Sequence, residues 1–264
     1  MTPSATEVRF EVRDGVGHVL LDGPDTMNSI TPQVLDALEV ILDRAEADGS
    51  VRVLVIRGAG TAFSVGMDID YLGECFADPA GVFVPFTTRF HALLDRLEAL
   101  PIPVVAAVNG LARAGGLELL LACDLAVAAD SARVADHHIE FGIVPGAGAT
   151  VRAVRKLGDQ RARELLFTGR WFTGAEMVEH GLAVRAVPAD GLDEAVADLA
   201  GSMSRRSPEC LASMKRLVGL AGDLAQADAL AAERAEFARF HAEVPSSAEG
   251  YRAWVEKREP VWTR

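Results

Sequence analysis

The chain has 264 residues, half of them apolar, and a formal charge of −12 from 26 basic and 38 acidic side chains. That acidity argues against nucleic acid or an anionic membrane as the principal partner, and no apolar run approaches the ~20 residues of a membrane span. Three cysteines without CxxC spacing suggest neither a disulfide framework nor a metal site, and reduced thiols in a cytoplasmic setting are the expectation.

Met1 to Glu7 lacks the basic region and apolar core of a signal peptide. Val8 to Val12 alternates apolar and polar, Gly15-Val16-Gly17 is a turn, and His18 to Leu21 is a second short strand, so the pair reads as a hairpin. Thr31-Pro32 is a helix start with proline at the first helical position. Val34, Leu35, Leu38, Ile41, Leu42 and Ala45 then recur at helical spacing through about Asp48. Val51 to Ile56 is the β-branched run of a strand covered on both faces. Asp78 to Phe86, with two prolines and a glycine, reads as a mobile loop. His91 to Leu100 is helical, Val104 to Val108 a strand, Gly115 to Ala122 a helix and Leu125 to Ala128 a strand. Pro145 to Leu157 and Gln160 to Phe167 read as helices.

This alternation indicates an α/β core of repeated β-β-α units. From Asp193 strand signals vanish. Leu192 to Met203, Pro208 to Ala221, Ala225 to Glu243 and Ser246 to Arg258 read as helices. The shift divides the chain into a core, 1–192, that carries the site, and a C-terminal helical subdomain, 193–264.

Two glycine-rich segments stand out, Thr61 to Asp68 and Val108 to Glu118. Each follows a β-branched strand and leads into a helix, a geometry that leaves backbone N–H groups free at the turn. Two such turns side by side can hold one oxyanion; taken singly, each is also an ordinary tight turn. Glu118 lies one turn inside the second helix among Leu117, Leu119, Leu120 and Leu121. A lone carboxylate in such a run is more often buried and functional than a surface group answering the helix dipole. Further on, Asp136-His137-His138 offers imidazoles that titrate near neutrality. Adjacent strand residues point to opposite faces, so His137 and His138 are not expected to share a metal ion. Neither a Walker pattern nor a full dinucleotide fingerprint is present.

In order and spacing these segments resemble the crotonase, or enoyl-CoA hydratase/isomerase, superfamily. Asp25-Thr26-Met27-Asn28-Ser29-Ile30 resembles its loop ending in Asn-Ala-Leu. Ala62 to Asp68 and Asn109 to Glu118 resemble its two oxyanion segments, and Gly142-Ile143-Val144-Pro145-Gly146-Ala147-Gly148 its third loop. Phe167-Thr168-Gly169, Ala175 and Gly181-Leu182-Ala183 resemble the stretch that follows. The resemblance implies a crotonase-like spiral of β-β-α units with a C-terminal helical trimerisation subdomain, assembled as a homotrimer or hexamer. It places an oxyanion hole at the Val65 and Gly115 amides and substrate contacts at Ser64, Gly66, Met67, Asp68 and Gly116. Glu118 falls on one of the family's two hydratase glutamates. His138 stands where the second would be, with His137 in place of the usual proline, so a Glu/His pair replaces two carboxylates. The implied reaction is reversible hydration of a 2-enoyl-CoA, with coenzyme A as part of the substrate and no metal or redox cofactor. Double-bond isomerisation and hydrolysis of a C–C bond in a β-diketone are the alternatives, although diketone-cleaving members carry an aspartate where this chain has Ala147. A non-catalytic acyl-CoA or RNA binder on the same scaffold is disfavoured by Glu118 and the acidic charge. Lys257 and Arg258 are more simply a solvated helix face than ligands for a neighbour's coenzyme A phosphate.

Overall fold

The computed structural model describes residues 5–262; the first residues of the segment read for a leader, and the last two of the chain, lie outside them. Strands β1 (Glu7–Arg13) and β2 (Val16–Asp22) form the expected antiparallel hairpin. Its turn is Asp14-Gly15, both at positive φ, one residue earlier than the glycine spacing suggests. Thr31 caps α1 (Pro32–Ala47) by accepting from the Val34 N–H, and the six periodic apolar residues are its buried face.

Three β-β-α units follow. The first comprises β3 (Val53–Gly58), β4 (Ala62–Ser64), α2 (Ile69–Ala77) and α3 (Val84–Ala99). The second is β5 (Val104–Val108), β6 (Leu111–Arg113) and α4 (Gly115–Ala122). The third is β7 (Leu125–Ala129), β8 (Arg133–Ala135), α5 (Ala149–Leu157) and α6 (Asp159–Thr168). The first strand of each unit joins a six-stranded sheet ordered β1-β2-β3-β5-β7-β10, parallel from β2 onward; the second joins a four-stranded sheet ordered β4-β6-β8-β9. Strand β9 (Phe172–Thr173), helix α7 (Gly174–Glu179) and strand β10 (Arg185–Val187) close the two sheets. Stepping between sheets at each turn lines the turns up along one edge, where the site forms.

Two expectations for this region fail. Asp78 to Phe86 is not an open loop: residues Pro79–Phe83 form a wide helical turn that runs into α3. Its prolines occupy first-turn positions, where the missing N–H costs nothing. The helix expected from Pro145 begins at Ala149, because Gly148 at φ +98° precedes it.

The boundary at 192/193 also fails. Helix α8 (Leu192–Ser204) packs across β2, β3, β5 and β7 and buries Leu192, Ala195, Val196 and Ala200 in the main core. The break comes after Ser204. Helices α9 (Pro208–Asp223), α10 (Gln226–Glu243) and α11 (Glu249–Glu256) bury few residues: Pro208 and Ser213, Glu236, and Glu249 and Ala253. Lys215 tethers α9 to the core through the Ile102 carbonyl at 3.0 Å and Asp124 at 2.8 Å. Met214, Val218, Phe237, Tyr251 and Trp254 stay exposed. Arg258 pairs with Glu249 and Glu256. Among the described residues no helix is long and apolar enough to cross a membrane.

Candidate active site

A cleft of about 1030 Å³ opens at the aligned turns. Ile30, Leu72, Phe86 and Phe90 give it apolar walls, and Met67, Gly115, Glu118 and His138 converge on its floor.

The first turn is held by hydrogen bonds from remote loops. Asn28, fully buried at φ +58°, donates to the carbonyls of Ala59 and Ala62 and accepts from the Gly23 N–H. The Val65 N–H donates to the Met27 carbonyl at 3.2 Å. The Gly66 N–H donates to Ser64 Oγ at 3.2 Å, and Ser64 Oγ in turn donates to the Asn28 carbonyl at 2.8 Å. The Asp68 N–H donates to the Ile30 carbonyl at 3.2 Å. Met67 alone in this stretch keeps a free N–H among the described residues. This corrects the expected donor: Val65 lines the cleft, but its amide is occupied.

The second turn is held from one neighbouring segment. Ala114 donates to the Asp136 carbonyl at 2.9 Å, and Gly115, first residue of α4, has an unspent N–H. The two turns are close-packed: a Cβ on Gly66 would lie 2.7 Å from the Gly115 nitrogen, and one on Gly116 would lie 2.0 Å from the Ser64 carbonyl oxygen. Ser64, Gly66 and Gly116 therefore do not touch the cleft. They allow the approach of the two turns and are not among the residues that line the cleft, where substrate contacts were expected. Met67 and Asp68 do line it, though Asp68 is committed to capping α2 and to Ser29.

Glu118 is 3% exposed. Its Oε1 accepts from the amides of Ala147 at 2.8 Å and Ala149 at 3.3 Å. Buried Arg152 steadies that loop, donating to the Ala147 carbonyl at 2.6 Å and to Asp95 and Glu98. Oε2 faces His138 Nε2 at 4.0 Å. That gap is too long for a hydrogen bond, yet one water can reach both atoms at about 2.8 Å. Burial pushes the Glu118 carboxyl above its ordinary range, against the pull of His138 and the two amides.

His138 is not on a strand, contrary to the sequence reading. It opens a short turn, residues His138–Phe141, after His137 at φ +57°. Its Nδ1 lies 2.9 Å from Asp136 Oδ1. Burial works against the imidazolium, but the Asp136 hydrogen bond and the charges of Glu118 and Asp136 outweigh it and hold the pKa above the ordinary value. His137 turns away onto Trp171, ring centroids 4.3 Å apart, with Nδ1 3.5 Å from Glu140. Asp136, 1% exposed, is a candidate site residue that the sequence reading did not single out; the Asp-x-His spacing is its local signal.

Residues 11–264 match the family model described as enoyl-CoA hydratase/isomerase. The chain is 33% identical over 249 residues to a probable enoyl-CoA hydratase of Mycobacterium bovis, across 94% of each chain. It is 31% identical over 258 residues to an enoyl-CoA isomerase/hydratase of Mycosarcoma maydis, across 94% of this chain and 93% of that one. A crystal structure of enoyl-CoA hydratase from Bacillus anthracis aligns with TM-score 0.91 and 30% identity, covering 97% of this chain and 98% of that one. The spiral of β-β-α units and the sequence thus agree, and the chain belongs to the enoyl-CoA hydratase/isomerase family of the crotonase superfamily.

Proposed function

We propose that the protein reversibly hydrates 2-enoyl-CoA thioesters through an enolate. The observation that carries this is the facing of Glu118 and His138 at 4.0 Å beside two free backbone amides. The thioester oxygen accepts from the Met67 and Gly115 N–H groups, each worth roughly 3 kcal/mol in the transition state. Glu118 Oε2, made more basic by burial, takes a proton from water as the water oxygen bonds to C3. The C2–C3 π electrons move onto the thioester oxygen. The His138 imidazolium then gives its Nε2 proton to C2, yielding a 3-hydroxyacyl-CoA. The proton on Glu118 returns to His138 across the gap, by way of the next water. Such proton transfers contribute typically 10²–10⁴-fold.

The test is loss of enoyl absorbance from crotonyl-CoA and longer 2-enoyl-CoAs. Glu118→Gln should abolish it, and His138→Ala should slow it by ~100-fold. Wild type that leaves every enoyl-CoA unchanged, or active Glu118→Gln, defeats the reading.

One observation favours a second reading. An imidazole oriented by a buried carboxylate is also a water activator, so hydrolysis of a β-diketone belongs in the same screen, with Ala147 counting against it. Isomerisation of 3-enoyl-CoA needs only Glu118 and the amides.

We also propose trimers, stacked into hexamers, through α9 to α11. The exposed Met214, Val218, Phe237, Tyr251 and Trp254 support this. A stable monomer at micromolar concentration in sedimentation defeats it. Free thiols at Cys75, Cys123 and Cys210 fit a reducing, cytoplasmic setting. Coenzyme A as part of the substrate is the only cofactor chemistry in this scheme.

A further inference from the structure

We propose that Asp136 is a positioning residue of this site: its carboxylate clamps the His138 ring so that Nδ1 carries a hydrogen and Nε2 is the atom presented to Glu118 and the substrate. The inference deepens the hydration reading and rests on it for its kinetics.

The clamp has two arms. Asp136 Oδ1 lies 2.9 Å from His138 Nδ1, and Oδ2 accepts the His138 backbone N–H at 3.3 Å. An ionised carboxylate only accepts, so Nδ1 must donate. The remaining ring nitrogen is the one that faces Glu118 Oε2. The clamp is anchored to the oxyanion turn, because the Asp136 carbonyl accepts from the Ala114 N–H. One short segment therefore sets both the imidazole and the start of α4, whose first amide is Gly115. The left-handed backbone at His137 folds His138 back over Asp136. A non-glycine residue held there is strained, which is common at functional sites.

Charge explains why the clamp is an aspartate. Asp136 is 1% exposed and has no lysine or arginine partner among the described residues. A buried carboxylate without compensation is costly, and among the described residues the cationic group paired with it is His138 itself. The imidazolium is in turn flanked by Glu118 from α4. The next titratable groups in the chain, His137 and Glu140, face each other. Asp25, Asp68, Asp70, His91, Asp95 and Arg113 also line the cleft, but none has a hydrogen bond or ion pair to His138. Asp136 thus supplies the tautomer and part of the charge that make His138 an acid. A neutral residue at this position would leave a buried imidazole that prefers to lose its proton.

A purely structural alternative exists, in which Asp136 only caps the turn through the His138 N–H. Asp136→Asn separates the two, because the asparagine oxygen still accepts the turn bond from the His138 N–H, whereas the side chain's NH2 then faces Nδ1, so the charge and the Nδ1 acceptor are lost. If His138 acts as acid, activity falls as pH rises through its pKa. In Asp136→Asn that limb should move down by about one unit or more, with kcat above the wild-type limb reduced ~10-fold, KM little changed, and activity recovering at lower pH. Asp136→Ala should lose more and not recover. Imidazole ¹⁵N NMR, with His138→Gln to assign the signal, should show Nδ1–H in wild type and a lower titration midpoint in Asp136→Asn. An unchanged His138 titration in a folded Asp136→Asn protein, with an unchanged pH–rate limb, overturns the inference while leaving hydration intact. If wild type hydrates nothing, the hydration reading falls, and the NMR titration still decides the role of Asp136.

Discussion

Gly116→Ala tests how the site is built rather than which groups react. A Cβ at Gly116 would meet the Ser64 carbonyl oxygen at 2.0 Å and its carbon at 2.7 Å, against an ordinary contact near 3.4 Å. Both partners are backbone, so neither can swing aside. Relief requires the start of α4 and the end of β4 to part by up to about 1.4 Å, the difference between 2.0 and 3.4 Å. Met67 lies three residues beyond Ser64, so its amide moves with that strand while Gly115 moves with the helix. A misplacement near 1 Å can cost ~100-fold in rate, and overpacking costs about 1–3 kcal/mol of stability. For a chain of this size that lowers Tm by about 2–12 °C. Stopped-flow hydration of crotonyl-CoA gives kcat, and circular dichroism gives Tm. Gly219→Ala in α9 is the control, since its Cβ would meet nothing within 4 Å. It should be neutral or stabilising by up to ~1 kcal/mol. A folded Gly116→Ala enzyme with wild-type kcat and Tm refutes the packing argument.

Ala114 sits at φ 47°, ψ −120°, a region that favours glycine. Ala114→Gly should relieve strain and unfold no lower than wild type; a clear drop in Tm shows that its methyl packs usefully instead. Glu118 has a raised pKa, so the folded state holds its proton more tightly than the unfolded chain, and stability falls as pH rises from the ordinary carboxylate value through the folded one. Glu118→Gln should therefore be inactive yet at least as stable as wild type at neutral pH, with the difference shrinking in acid, as urea titrations at several pH values would show. Glu236 is held down at about 2 by Arg239 and Ser213. Its stabilising contribution is present above the ordinary carboxylate pKa and is lost as pH falls toward about 2, so hydrogen exchange in α9 and α10 should accelerate over that window in wild type. In Glu236→Gln it should be faster already at neutral pH and change less; identical profiles exclude the role.

Much of this protein was legible locally. The β-branched runs read at Val51 to Ile56 and Val104 to Val108 fall on strands Val53–Gly58 and Val104–Val108, and Thr31-Pro32 starts a helix, because such local signals restrict backbone dihedrals. The lone carboxylate among leucines at Glu118 is buried in the cleft, as its neighbours implied. Proline misled at Asp78 to Phe86, since the same residue that breaks a helix interior is welcome in its first turn. What the chain could not show locally was which partner each polar group finds. The motif resemblance points to Val65 as the donor; only the Met27 carbonyl, brought in from a distant loop, occupies that amide and leaves the Met67 amide free. Helix α8 reads like the helices after it, and only its position across the sheet makes it core. Asp136 became a candidate positioning residue once a left-handed turn at His137 folded His138 onto it. Local sequence sets the faces and turns of elements, whereas occupancy of a hydrogen bond depends on groups remote in the chain, and in this site that occupancy separates a structural amide from a candidate catalytic one.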